Sequence, residues 1–86
     1  MAYEKLFQSG KIGSLTLKNR IVMPAMGVSL AEPGGEANEH IIRYYEERAK
    51  GGAGLIITEI TRVEPTYGTA IPNQLGAYES RHVPHL

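Results

Sequence analysis

Two short apolar runs, with one well-bounded amphipathic stretch between them, constrain this chain more than any other feature. RIVMPAM, residues 20–26, is apolar almost throughout. That is the pattern of a strand covered on both faces, as in parallel sheets, with Pro24 limiting its hydrogen bonding. GLIITEI, residues 54–60, is a second short run, rich in β-branched residues and bounded by glycine. Between them Asn38 stands as an N-cap after Glu36, and Ile41, Ile42, Tyr45 and Ala49 fall on one stripe. Glu39 and Arg43, like Glu46 and Lys50, are spaced as favourable i,i+4 pairs. Gly51-Gly52 then stop the helix behind basic Arg48 and Lys50. The order is therefore strand over 20–26, helix over 38–50 and strand over 54–60. The connection is long enough for a right-handed crossover between parallel neighbours.

The flanks are lighter. KIGSLTLKN, residues 11–19, alternates at Leu15 and Leu17 after a Gly13-Ser14 turn, which predicts a small antiparallel hairpin. Residues 61–80 are rich in Pro, Gly, Thr and Asn and predict a loop on the carboxyl side of the second strand. SRHVPHL, residues 80–86, reads as the start of a second helix. GGAG, residues 51–54, follows a helix rather than a strand and has no trailing Lys-Ser/Thr, so it is a helix stop and not a phosphate loop. One βαβ unit leaves strand edges unpaired and faces unburied, and a chain this short buries only a little over ~60% of its unfolded surface. The 86 residues are expected to be the N-terminal portion of a larger protein, or to complete themselves by assembly.

Charge and composition narrow the function. Nine Lys and Arg balance nine Asp and Glu, so no basic field draws nucleic acid or anionic lipid. The absence of cysteine excludes disulfides, thiolate catalysis and iron–sulfur ligation within this stretch. No apolar run approaches the length of a membrane span, and the N-terminus lacks a secretory h-region. The expectation is a soluble cytoplasmic protein with no nucleic-acid or membrane partner.

Three segments in one register carry a family resemblance: EKLFQSGKIGSLTLKNRIVMPAMGVSLAE, then YYEERAKGGAGLIITEIT, then QLGAYESRHVPHL. Together they resemble the opening of the old yellow enzyme family of flavin oxidoreductases. The nearest branch is that of 2-enoate reductases, 2,4-dienoyl-CoA reductases and related NADH:flavin oxidoreductases. The resemblance implies an α/β fold: the N-terminal part of a TIM (β/α)8 barrel, its first βαβ unit, with a β-hairpin capping the barrel bottom. A complete barrel takes roughly 250 residues or more, so about a quarter to a third of one is present.

The resemblance also implies the site. Pro24, Ala25, Met26 and Gly27 match the segment that lies against the flavin ring of FMN. Small residues beside an apolar Met suit a planar ring that needs close main-chain approach and an N–H at its N5/O4 edge. Many relatives carry a Thr or Cys at the position of Gly27, so here any tuning must come from the backbone or elsewhere. Thr58, Glu59 and Ile60 match the end of the second strand, a further flavin contact, with Ile60 in place of an often smaller residue. By itself Glu59 reads as a solvated or salt-bridged carboxylate rather than a general base. His40, His82 and His85 lack metal-site spacing and read as surface or capping residues. Tyr67 reads as a loop tyrosine packed for shape.

The implied reaction is hydride transfer from NAD(P)H through FMN to an activated alkene such as an enoate, enone or dienoyl thioester. Substrate-binding and proton-donating residues of the family lie on later strands, so no catalytic residue is assigned here. Larger members of the branch add an iron–sulfur cluster and a second flavin domain carrying FAD, whose residues would lie beyond residue 86. The alternative is a non-catalytic fragment that self-associates through its open strand edges and holds no flavin.

Overall fold

The computed structural model describes residues 3–86. A single helical turn, α1 (Glu4–Phe7), leads into an antiparallel hairpin of β1 (Gly10–Ile12) and β2 (Leu15–Leu17). Its register pairs Gly10 with Leu17 and Ile12 with Leu15. The Arg20 N–H donates to Leu6 O at 2.8 Å, which fastens α1 to the start of the next strand.

That strand, β3 (Val22–Met23), pairs in parallel with β4 (Leu55–Ile56), and α2 (Glu39–Lys50) forms the connection between them. Val22 lies opposite Leu55 and Met23 opposite Ile56. The ladder is extended by Gly54 N–H to Ile21 O at 2.9 Å and Ile57 N–H to Met23 O at 3.0 Å. The continuous strands expected over 20–26 and 54–60 are thus regular over two residues each. Pro24 has no N–H to continue the ladder, and among the described residues β3 and β4 have only each other as partners. Val22 and Ile57 stand about half-exposed rather than covered on both faces.

α2 begins where the sequence offers a cap: Asn38 Oδ1 accepts the Ile41 N–H at 3.1 Å. Lys50 and Glu46 form the i,i+4 ion pair at 2.9 Å. The apolar stripe divides, however. Ile41 is fully buried and Tyr45 half-buried, whereas Ile42 and Ala49 face outward. The core lies at the amino end of α2, where Ile41 packs with Ala31, Ala37 and Leu75, flanked by Val28 and Tyr45. Burying a side chain such as Ile41 contributes about 1.5–3 kcal/mol.

Residues 61–79 form a long return loop whose only regular pairing is a parallel bridge between Arg62 and Gly76. Gly76 N–H donates to Gly35 O at 2.9 Å. Gly35 has φ of +96°, and a Cβ there would stand 3.1 Å from the Gly76 main chain and the His82 ring, so glycine is required on both counts. The chain closes in a 3-10 helix, Ser80–His85, within the 80–86 stretch read as the start of a second helix. His82 is not on the surface: it is completely buried. Its Nδ1 accepts the Glu79 N–H at 3.2 Å, so the ring proton is on Nε2, which donates to Gly34 O at 2.8 Å.

Candidate cofactor-binding site

Parallel pairing brings the carboxyl ends of β3 and β4 to the same side, so Pro24–Gly27 run beside Ile57–Ile60. The juxtaposition is direct. Val28 N–H donates to Glu59 Oε2 at 2.9 Å, and a Cβ built on Gly27 would lie 3.9 Å from Ile60 Cδ1. Pro24, Ala25, Met26 and Gly27 are all exposed. Among the described residues, no hydrogen bond engages Ala25, Met26, Gly27, Thr58 or Ile60. The two strand tips therefore form a ledge of unpaired main-chain donors, with the Met26 and Ile60 side chains beside it, each about half-exposed.

A flat, partly apolar ring with acceptors on one edge fits such a ledge. Apolar flanks accept its face, and free N–H groups can answer the charge that gathers on its heteroatoms when it is reduced. The absence of a side chain at Gly27 leaves the peptide approachable, but the space beside it is not empty. A Cβ there would meet Ile71 Cδ1 at 2.6 Å. The return loop thus fills with Ile71 the space that a side chain at position 27 would take, and the ledge has an apolar wall made by Ile60 and Ile71.

Glu59 departs from its expected environment. It is only 2% exposed and makes no ion pair among the described residues. Its Oε2 accepts from Val28 N–H and its Oε1 from Leu75 N–H, both at 2.9 Å. Its own N–H donates to the Tyr45 hydroxyl at 2.7 Å. Burial raises the pKa of that hydroxyl above the usual phenol value, an effect opposed by the hydrogen bond from Glu59. The Glu59 side chain is turned away from solvent because two main-chain donors claim both its oxygens. Tyr67, expected to pack for shape, is instead 93% exposed at the tip of the return loop.

Three further residues shape the rim. Arg62 is buried, donating from Nη2 to Pro33 O and from Nη1 to Thr69 Oγ1, both at 2.9 Å. Gln74, buried still more completely, accepts the Ala70 N–H at 2.8 Å through Oε1 and so sets the turn that presents Ile71. Leu75 contributes both its N–H and a core side chain. Reading by residue type passed over all three. The one sequence signal was that Arg62 is the single Lys or Arg between residues 61 and 79.

Among the described residues, no three His, Cys, Asp or Glu side chains gather as metal ligands, and no helix is long and apolar enough to cross a membrane. An apolar groove of about 370 Å³ lies between α2 and the C-terminal residues, lined by Ile41, Tyr45, Thr58, Leu75 and Leu86. It borders the ledge at Thr58 but does not include residues 24–27.

Comparison with known proteins gives concordant matches. The family model described as NADH:flavin oxidoreductase / NADH oxidase matches residues 5–86. An NADH oxidase of Thermoanaerobacter brockii is 40% identical over 81 residues, covering 94% of this chain and 12% of its own length. A cinnamate reductase of Clostridium sporogenes is 46% identical over 63 residues, covering 72% of this chain and 10% of its own. Among solved structures, the old yellow enzyme from Trypanosoma cruzi superposes with a TM-score of 0.85 at 33% identity, over 99% of this chain and 22% of that one. The chain thus spans about a tenth to a fifth of the length of these three proteins. Its fold is the opening of a (β/α)8 barrel: a hairpin followed by the first βαβ unit.

Proposed function

Since the chain belongs to the NADH:flavin oxidoreductase / NADH oxidase family, we propose that it forms the floor of an FMN site in a protein that passes hydride from NAD(P)H to an activated alkene. Pro24, Ala25, Met26 and Gly27 form the surface on which the ring lies, and the main chain at Thr58–Ile60 forms its second edge. The observation that carries this reading is the ledge itself, where two adjacent parallel strand tips present exposed residues with unclaimed main-chain donors.

FMN supplies, when bound, the hydride relay that no side chain of this chain can provide. The residues do the rest of the local work. The N–H groups of Ala25, Met26 and Gly27 orient an acceptor edge and favour added negative charge there. Met26, Ile60 and Ile71 exclude water from the ring's neighbourhood. Glu59 does not touch the ring through its carboxylate, since both oxygens are engaged elsewhere, so its contact is limited to its main chain. For the substrate, the match to a protein named cinnamate reductase supports an enoate, because cinnamate is an α,β-unsaturated carboxylate. Enones and dienoyl thioesters share that electrophilic β-carbon.

The test is direct. The full-length protein is expected to purify yellow, to release FMN on heat or acid, and to be bleached by NADH or NADPH and recoloured by cinnamate without oxygen. A colourless protein that takes up no added FMN would overturn the reading. Bleaching without recoloration by any enoate, enone or dienoyl thioester would overturn the substrate class alone.

A further inference from the structure

We infer that Glu59 is the positioning residue of this floor, its carboxylate holding the ledge in the shape that receives the ring; the inference rests on the flavin reading above. Two routes lead from Glu59 to Gly27. The shorter runs through Oε2 to the Val28 N–H, which belongs to the same planar peptide as the Gly27 carbonyl. Fixing that N–H fixes the plane in which the ledge ends. The longer runs through Oε1 to the Leu75 N–H. From there the adjacent Gln74 Oε1 accepts from Ala70 and, at 3.4 Å, from Ile71, whose side chain closes over Gly27. One carboxylate therefore sets both the floor and its apolar wall.

The anchor is itself rigid. Tyr45 on α2 accepts the Glu59 N–H at 2.7 Å, so the clamp is referred to the helix rather than to a loop. Three residues on, Arg62 ties the same segment to Pro33 O and Thr69 Oγ1. The segment 59–62 thus uses a buried acid to gather N–H donors and a buried base to gather oxygen acceptors. The chemistry explains why an acid is needed. An apolar side chain of similar volume would fill the space but leave two buried N–H groups unpaired. Gln offers one acceptor where two are needed and would press an NH2 against one of the donors. A clamp of this kind fixes the free donors at 25–27 before any ligand arrives, which is how a site avoids an ordering cost on binding.

The test uses the full-length protein. Glu59→Gln is expected to keep its circular dichroism, to bind FMN about tenfold or more weakly, and to shift the visible flavin band. Loss of one hydrogen bond to a charged group is sufficient for a change of that size. Arg81→Ala, which removes exposed ion pairs to Glu36 and Glu79, is expected to keep the parental FMN Kd and spectrum. In the unmodified apoprotein, the Val28 and Leu75 amides are expected to exchange slowly and together, while those of residues 25–27 exchange fast. A Glu59→Gln variant with parental Kd and spectrum overturns the inference. So does a Val28 amide as fast as its ledge neighbours, a measurement that stands even if the variant does not fold. Unmodified protein that takes up no FMN overturns the flavin reading instead, and shared protection of Val28 and Leu75 in that sample would still uphold the clamp.

Discussion

A single added carbon separates tolerated from disruptive changes at several positions in this chain. At Gly27 the obstacle is the tip of Ile71, which can rotate away. Gly27→Ala should therefore fold normally, while Gly27→Val, with a branched side chain over the peptide proposed to receive the ring, should lower FMN occupancy several-fold. The flavin-to-protein ratio after purification checks it, and an unchanged ratio would count against the placement of the floor. At Gly54 the obstacle is main chain, since a Cβ would collide with the Asn19 carbonyl as well as its side chain. Asn19 cannot retreat, because it donates to Gly52 O and accepts from Ile21 N–H. Gly54→Ala should cost about 1–3 kcal/mol by urea unfolding. His82→Ala would leave the Glu79 N–H without its partner, remove the shortest of the three hydrogen bonds to Gly34 O and open a cavity in a fully buried site, an expected loss of about 2–4 kcal/mol in the same measurement.

The elements differ in how locally they are determined. Both ends of α2 are set by nearby chemistry, the Asn38 cap and the glycines after Lys50. Asn38→Ala should cost about 1 kcal/mol and fray the first turn, visible as lost helical ellipticity. The turn at Glu64 is equally local: its carboxylate accepts from the Tyr67 and Thr66 N–H groups, which hold its pKa below the usual value of 4.5. A folded-state pKa below the unfolded one stabilises the turn at pH above the unfolded value, and that support is lost as pH falls through the folded value. An NMR titration should place the Glu64 midpoint below 4.5, with Thr66 and Tyr67 amide shifts following it in the acid range. The strands are different. β3 and β4 show two paired residues each because strand length depends on partners, and hydrophobic runs such as 20–26 record the capacity to be covered rather than the covering itself.

At the scale of the whole molecule, the Cα radius of gyration is 15.2 Å, against about 12 Å for a compact domain of this length. Leu6, Phe7, Ile12 and Leu15 on the N-terminal turn and hairpin stand exposed. Expressed as these 86 residues, the chain should therefore elute larger than a monomer and bind a hydrophobic dye, measurable by light scattering and fluorescence. A monodisperse monomer without dye binding would contradict this. The sequence by itself determined the order of elements, the ends of α2 and the segment at the first strand's tip, because caps, stops and apolar runs act over a few residues. Only the tertiary structure decided that Glu59 is buried, that Ile71 walls Gly27, that Arg62 ties two loops and that His82 is interior. Each depends on partners 16 to 48 positions away in the chain, and a hydrogen bond at that range leaves no periodicity for a sequence to show.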